Sequence, residues 1–430
     1  MAASMSRLGG ELPAAAVVRV VKLIGGGRAL AHHDGATWMI DGALPGERVL
    51  ARPIRRRRGV IEAALDEVVD DRHPSRLDDP CPHAATCGGC DWPHVDSDSG
   101  AGLKAEVAAE ATGHAGDLAD RLRAAPVVTS PPCYRIRSRL HWDPGAPSVG
   151  FFGRRSWRVS RIPDCRILSP GLVARLAGLT DALTACCPER LDVELLEGAD
   201  GVVAALRPGR RGRSSIPAAW LPGRDRSPDV AGFHRLTTDA RLMVGWGRTD
   251  VTVDLPIPLS VPMGAFFQGN RHLAAPLFHR TAELIGPGEG PVVDLHAGVG
   301  FLAAAARFAG RTAITAVEPH GGAAAAAVRN LPGARVVHGS AEEFLTDADN
   351  RPRDVVAIVD PPRSGLTPRL RAQLAAWRPP RIVALGCDPA AWARDTAELL
   401  SSGYRLTRLE LFDLFPFTHH VEVVSVLELP

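Results

Sequence analysis

The chain has 430 residues, 45% of them hydrophobic and 23% charged, with a formal net charge of +2. That length exceeds one ordinary domain and predicts two or three, with the composition of a soluble globular protein. No stretch approaches the roughly 20 continuous apolar residues of a membrane span, and the start, MAASMSRLGGELP, lacks the basic end and long apolar run of a signal peptide, so a cytoplasmic protein is expected.

Short alternating runs broken by glycine, VVRVVKL, GGGRALAHHDG and TWMIDGALPGERVLARPI, fill the stretch from Val17 to about Val69 and predict a small β-barrel. Barrels of this kind commonly bind oligonucleotides through one face and its loops. Within it lies the run Arg55-Arg56-Arg57-Arg58, which fits a phosphate-contacting patch or a solvated turn equally well. Only Lys22 and Lys104 are lysines among the 50 basic residues. A GC-rich genome is one source of such a bias, and arginine is also the side chain best shaped for forked contacts to phosphate.

A polar stretch, DEVVDDRHPSRLDDP, marks a boundary before Cys81, Cys87 and Cys90. Eight cysteines in a cytosolic chain argue against disulfides and for metal or catalytic use of some of them. From about Lys104 to Arg123 the sequence predicts one helix. Between Pro126 and about Leu255 strand-like runs (YRIRSRLHW, SVGFFG, LDVELLEG, GVVAAL) alternate with Pro and Gly breaks. The segment RPGRRGRSSIPAAWLPGRDRSPD predicts a long exposed loop.

From Pro291 the rhythm becomes strand, loop, helix, repeated, which predicts an α/β domain on a largely parallel sheet. Ligands of such sheets bind beyond the carboxyl ends of the strands. The first strand, PVVDL, runs into His296-Ala-Gly298-Val-Gly300, where glycines let the backbone turn tightly against a ligand. The second ends in Glu318, placed to accept hydrogen bonds from both ribose hydroxyls of an adenosine cofactor; a carboxylate that merely caps a helix is the bland alternative. Ala303 replaces the third glycine of a dinucleotide fingerprint. NAD is not excluded by that, but nothing downstream resembles a hydride-transfer site, and the short loop suits S-adenosylmethionine.

The fourth strand ends in Asp360-Pro361-Pro362-Arg363, the prolines fixing the aspartate at the sheet edge. The fifth delivers Cys387, just before a helix, where a thiol pKa can be lowered to make a nucleophile. In THHVEVVSVLE, Glu422 interrupts an apolar strand, a costly place for a carboxylate without a task or a partner. Cysteine plus carboxylate has a logic for uracil, whose C5 is a poor nucleophile until a thiolate adds to C6. A base must then take the C5 proton. A small buried cysteine and a structural ion pair are the alternatives for each residue taken singly.

These residues resemble the RNA uracil-C5 (5-methyluridine) methyltransferase family over nearly the whole chain. GGGRALAHHDGATWMIDGALPGERV resembles its TRAM barrel, and CPHAATCGGC its iron–sulfur motif. FFQGN, DLHAGVG, AVEP, VDPPRSGL, GCDPAAWARD and HHVE resemble its methyltransferase motifs in order. The resemblance implies Cys387 as nucleophile and Glu422 as base, with Gln268, His296, Glu318 and Asp360 on S-adenosylmethionine. It also implies a [4Fe–4S] cluster on Cys81, Cys87, Cys90 and Cys165, for which thiolates are the expected ligands; four cysteines also suit zinc. His296 stands where the family has Tyr or Phe, and Gly386-Cys387-Asp388-Pro389 where it has SCNP. The implied architecture is a TRAM-like barrel over 1–69, a mixed α+β central domain with the cluster over 70–257, and a Rossmann-like methyltransferase domain over 258–430. The implied partner is RNA, ribosomal rather than transfer, and a monomer is the default expectation. A degenerate RNA-binding protein on the same fold and a cytosine-C5 enzyme are the rivals.

Overall fold

The structure is a computed structural model that describes residues 12–113, 117–209, 215–226, 229–243 and 245–430. Most of the opening MAASMSRLGGELP lies outside the described residues.

Strands β1 (Ala16–Leu23), β2 (Ala29–His33), β3 (Ala36–Asp41), β4 (Arg48–Arg57) and β5 (Val60–Asp70) close into a barrel in the order β1-β2-β3-β5-β4. Period-two alternation turns Val18, Val20, Ala31, Trp38, Ile40, Val49 and Ile61 inward. Alanines at 29, 31, 51 and 63 make room for the Trp38 ring in so narrow an interior. Of the arginine run, Arg55 is forked onto Glu62 at 2.7 and 3.0 Å, whereas Arg56, Arg57 and Arg58 are exposed at the β4–β5 turn.

The barrel sits against the rest of the chain through Trp92, whose ring nitrogen donates to the Gly27 carbonyl at 2.8 Å. Gly27 has φ +73°, and a Cβ there would lie 2.4 Å from His419. Glycine is therefore required twice over, by conformation and by space.

The single helix expected over 104–123 is two, α1 (Ala101–Ala111) and α2 (Asp117–Ala124). Gly113, with φ +64°, follows the Thr112 cap and stops the first, the usual left-handed helix exit. Both helices, with the short strand β6 (Val127–Val128), pack onto the C-terminal sheet and share a core with Val293, Val317 and Leu411.

The central region is a seven-stranded sheet. Its strands are β7 (Arg137–Asp143), β8 (Ser148–Phe152), β9 (Val159–Arg161), β10 (Leu191–Gly198), β11 (Gly201–Arg207), β12 (Gly232–Arg235) and β13 (Trp246–Gly247), ordered β13-β12-β11-β10-β7-β8-β9. Helix α3 (Pro170–Cys186), capped by the Ser169 hydroxyl, covers one face with Leu172, Leu176, Leu179 and Leu183. The long exposed loop expected over 207–229 is not wholly that. Residues 210–214 and 227–228 lie outside the described residues, but Ile216 is buried and Arg235 donates to its carbonyl at 2.6 Å. One apolar side chain pinned by one arginine draws that part of the loop onto the sheet.

A hairpin of β14 (Asp250–Val253) and β15 (Leu259–Pro262) leads through α4 (Ala274–Ile285) into the C-terminal α/β unit. That unit runs β16 (Val292–Asp294), α5 (Phe301–Phe308), β17 (Ile314–Glu318), α6 (Gly321–Asn330), β18 (Arg335–His338), α7 (Ala341–Phe344), β19 (Val356–Val359), α8 (Pro368–Trp377), β20 (Arg381–Gly386), α9 (Pro389–Ser401), β21 (Arg405–Phe412) and β22 (Glu422–Glu428). The sheet order is β18-β17-β16-β19-β20-β22-β21-β6. Strands β16 to β20 are mutually parallel, and β22 inserts antiparallel between β20 and β21.

Candidate active site

The parallel strands all end on one side of the sheet, and that edge collects the residues singled out in the sequence. Beyond β16 the chain turns through Gly298 (φ +55°) and Gly300 (φ +94°) into α5. Glu318, closing β17, accepts from the Gly298 N–H at 2.8 Å with one oxygen and from the His320 N–H at 2.7 Å with the other. The carboxylate therefore shapes the glycine loop itself, and each oxygen keeps a further lone pair for a ligand.

Asp294, at the end of β16, is fully buried. Its Oδ1 accepts from the His296 N–H at 3.2 Å, while Oδ2 has no partner. Burial, with Asp360 and Glu318 nearby, pushes its pKa up to about 8. His296, half-buried, is pushed down to about 4 by burial, so its ring is neutral, and Nδ1 is left without a partner. A neutral ring offers a flat face much as Tyr or Phe does. Unsatisfied buried polar atoms around a glycine loop are what an adenosine-bearing ligand would satisfy.

Gln268 is buried between this loop and the next strand end, its amide donating to Asp360 at 3.5 Å. Asp360 directly follows β19, a central strand flanked by β16 and β20, and so stands at the carboxyl edge of the sheet. Burial raises Asp360 to about 7.

Cys387 follows β20 directly. Asp388 then caps α9, accepting from the Ala391 N–H at 2.9 Å, and Pro389 opens the helix. The antiparallel register pairs Leu385 with Val424 and Gly386 with Val423, so the next step sets Cys387 beside Glu422. Glu422 is buried and its Oε1 has no partner. Burial and the Asp360 carboxylate raise its pKa well above the ordinary glutamate value, against the pull of Arg363.

The lowered thiol pKa expected for Cys387 is not found. Burial, then Glu422 and Asp360, pushes it up to about 12, with Arg363 acting the other way. The helix start just beyond cannot offset two carboxylates in a poorly hydrated pocket. The site thus sets a thiol, two carboxyl groups of raised pKa and one guanidinium side by side.

The four cysteines of the iron–sulfur resemblance line one cavity, with His83, Phe151, Ile162 and Phe417 among its walls. Cys133 is not among them. Burial raises the pKa of Cys87, Cys90 and Cys165, and each of the three is raised further by neighbouring thiols. Among the described residues no group of three or more His, Cys, Asp or Glu converges as around a single metal ion.

Between β21 and β22, the loop 413–421 joins the two sites, a role that the sequence pattern does not announce. The Phe417 carbonyl accepts from the Trp92 N–H at 2.9 Å, and His419 bonds to Asp91, next to Cys90. The Tyr134 hydroxyl reaches the Pro416 carbonyl at 3.4 Å, and Asn270 the Leu414 carbonyl at 3.1 Å. Phe417 itself is held at φ +65°, a conformation costing on the order of 1–3 kcal/mol for a residue with a side chain. The one hint in the sequence is the unusual run of polar residues, THH, before an apolar strand.

A glycine loop, an acid ending the next strand, and a cysteine and a glutamate at neighbouring strand ends define an S-adenosylmethionine-dependent methyltransferase of the Rossmann-like class. The sequence profile of the tRNA (uracil-5-)-methyltransferase family matches residues 260–429. A 23S rRNA (uracil(1939)-C(5))-methyltransferase of Alkalilimnicola ehrlichii is 32% identical over 94% of this chain and 94% of its own length. An RNA methyltransferase of Streptomyces avermitilis is 31% identical over 94% and 95%. The crystal structure of Pyrococcus abyssi tRNA (uracil-54, C5)-methyltransferase with S-adenosyl-L-homocysteine shares the fold, with a TM-score of 0.74 at 21% identity over 96% of this chain and all of that one. The chain belongs to the family of S-adenosylmethionine-dependent RNA uracil-C5 methyltransferases.

Proposed function

We propose that this enzyme methylates C5 of a specific uridine in 23S rRNA, with Cys387 as the nucleophile and Glu422 as the base. The juxtaposition of Cys387 and Glu422, one register step past the Gly386–Val423 pair, carries the reading. The relatives named for 23S rRNA, matched along nearly their whole length, favour that substrate over transfer RNA.

S-adenosylmethionine supplies an electrophilic methyl group, held by Gln268, His296, Glu318 and Asp360. The Cys387 thiol must first lose its proton, which suits the Asp360 carboxylate once Arg363 and a cationic sulfonium share the pocket, so that Glu422 stays free for the C5 proton. The thiolate adds to C6 of the uracil, and the electron pair moves to C5 and O4. C5 then takes the methyl group, and the sulfonium leaves as a neutral thioether. Glu422 removes the C5 proton through its unpartnered oxygen, the C5–C6 double bond re-forms, and the sulfur departs from C6. A carboxylate raised in pKa is a competent base for this step, because it holds the proton it takes.

The cavity lined by Cys81, Cys87, Cys90 and Cys165 fits a [4Fe–4S] cluster by its donor set and its apolar walls. The cluster would brace the lobe, and no chemical step passes through it. We further read residues 1–69 as a TRAM-type RNA-binding unit, 70–257 as the cluster-bearing unit and 258–430 as the catalytic unit. The enzyme is read as a cytoplasmic monomer. Arg56, Arg57 and Arg58 are the barrel's candidates for phosphate contacts. Neutralising them should flatten the salt dependence of binding to single-stranded RNA by roughly 0.7 for each phosphate that then goes unpaired.

The test is nucleoside mass spectrometry after incubating the enzyme and S-adenosylmethionine with 23S rRNA and, separately, with transfer RNA. 5-Methyluridine in the ribosomal RNA is expected. 5-Methylcytidine would overturn the base assignment, and 5-methyluridine in transfer RNA alone would overturn the substrate.

A further inference from the structure

We propose that Lys104 is a positioning residue for the catalytic base, acting by clamping the loop 413–421 that delivers Glu422. The inference rests on the reading of Glu422 as that base. Lys104 lies on α1, far from Glu422 in sequence, and its ammonium is buried. It bonds to the Asp413 carboxylate and donates to the Phe415 and His420 carbonyls, both at 3.0 Å. Three N–H donors thus meet three acceptors, which leaves the ammonium fully satisfied despite its burial.

The acceptors span the loop from its first residue, Asp413, to His420, two residues before Glu422. One side chain therefore ties both ends of the loop to a single point. Asp413 also accepts from the Phe415 N–H at 3.1 Å, so the carboxylate shapes the first turn while the ammonium holds the last. Glu422 has no partner for Oε1 and makes no ion pair of its own among the described residues. Its aim is set by the backbone that carries it, and Lys104 is what fixes that backbone on the helix side.

Composition points the same way. In a chain with two lysines among 50 basic residues, one of the two stands here. A compact tetrahedral ammonium can point its donors at three acceptors converging on one atom, whereas a planar guanidinium cannot. The other, Lys22, is a partly exposed partner of Glu110 on the same helix, where either cation would serve.

The double variant Lys104→Met, Asp413→Asn removes the clamp without stranding a buried charge, and the introduced amide would keep an oxygen for the Phe415 N–H. S-adenosylhomocysteine affinity by calorimetry should be unchanged, because its site lies at other strand ends. Amide exchange over residues 414–421 should quicken by roughly tenfold or more. In a single turnover with RNA, methyl transfer should proceed while release slows by roughly tenfold or more, so that a covalent protein–RNA band builds up. Unaltered exchange at 414–421 would overturn the clamp. Quickened exchange with normal release, alongside a Glu422→Gln variant that stalls, would overturn the positioning role. Loss of cofactor affinity together with early melting would reduce Lys104 to scaffolding and also overturn it. Were Glu422→Gln to release RNA normally, the assignment of the base would fall, and the exchange result would still decide whether Lys104 holds the loop.

Discussion

Of the places where this molecule buries cysteine sulfur, two do so among opposite company. The thiols at 81, 87, 90 and 165 face one another and apolar walls, so for Cys87, Cys90 and Cys165 burial and the other thiols are what raise the pKa. Cys387 faces Glu422, Asp360 and Arg363, charged groups of both signs. A thiol set that only burial and like neighbours oppose needs a permanent positive charge to ionise, which a metal centre provides. A thiol balanced between carboxylates and a guanidinium can be switched by whatever binds beside it. The first arrangement suits a resident group, the second a passing substrate.

The largest effect should come from breaking the second site. Cys387→Ala should abolish both methyl transfer and any covalent complex with RNA. Glu422→Gln should still form the adduct and then stall, slowing turnover by roughly 10²–10⁴-fold for loss of a general base. Denaturing electrophoresis should show the protein–RNA band in the second variant and not in the first. Normal turnover in Glu422→Gln would move the base to Asp360 or Asp388.

At the first site, anaerobically prepared protein should be brown and carry about four irons per chain. Cys165→Ser should lose most of that iron, and Cys133→Ser should keep it. Metal analysis finding stoichiometric zinc in a colourless protein would replace the cluster with a structural zinc.

Alkylation sharpens the contrast. With its pKa raised to about 12, Cys387 in the unliganded enzyme should react with iodoacetamide roughly tenfold or more slowly than a free thiol at pH 8, and faster as pH rises. Peptide mapping after a timed pulse checks it. A fast-reacting Cys387 would mean that the carboxylates do not govern the thiol.

The smallest effect is on stability. Asp294 and Asp360 are raised to about 8 and about 7 in the folded chain. Each binds its proton more tightly folded than unfolded, so its contribution is complete below the ordinary aspartate pKa and is lost as pH climbs through 7 to 8. Melting temperature of the unliganded protein should therefore fall between about pH 4 and about pH 8 and level off above, by roughly 2–4 °C for each kcal/mol lost. Asp294→Asn should flatten the upper part of that fall.

Much of this is legible in the chain. The barrel, the parallel sheet and the strand ends bearing Glu318, Asp360 and Cys387 follow from periodicity and glycine placement, which are local properties. The break between α1 and α2 is legible too, in Gly113, but the alanine-rich run around it masks the signal. The charge state of Cys387 is not. It depends on Glu422 and Asp360, which arrive from other strands, and a thiol before a helix reads the same whatever stands opposite. Nor is the loop 413–421 legible, because its holders, Asp91, Lys104, Tyr134 and Asn270, come from four distant segments and matter only once folded.

The antiparallel insertion of β22 sets a rule for which lengths of chain can drift. Side chains alternate across a strand, so a single residue added between Asp413 and Glu422 would either turn the carboxylate to the far face or pull Val423 out of step with Gly386. The loop is tied at Asp413, Leu414, Phe415, Pro416, Phe417, His419 and His420, leaving no slack to absorb the extra residue. Insertions and deletions should therefore be forbidden here while exposed turns elsewhere vary in length, and the spacing from Asp413 to Glu422 becomes a ruler by which working copies of the enzyme can be told from disabled ones.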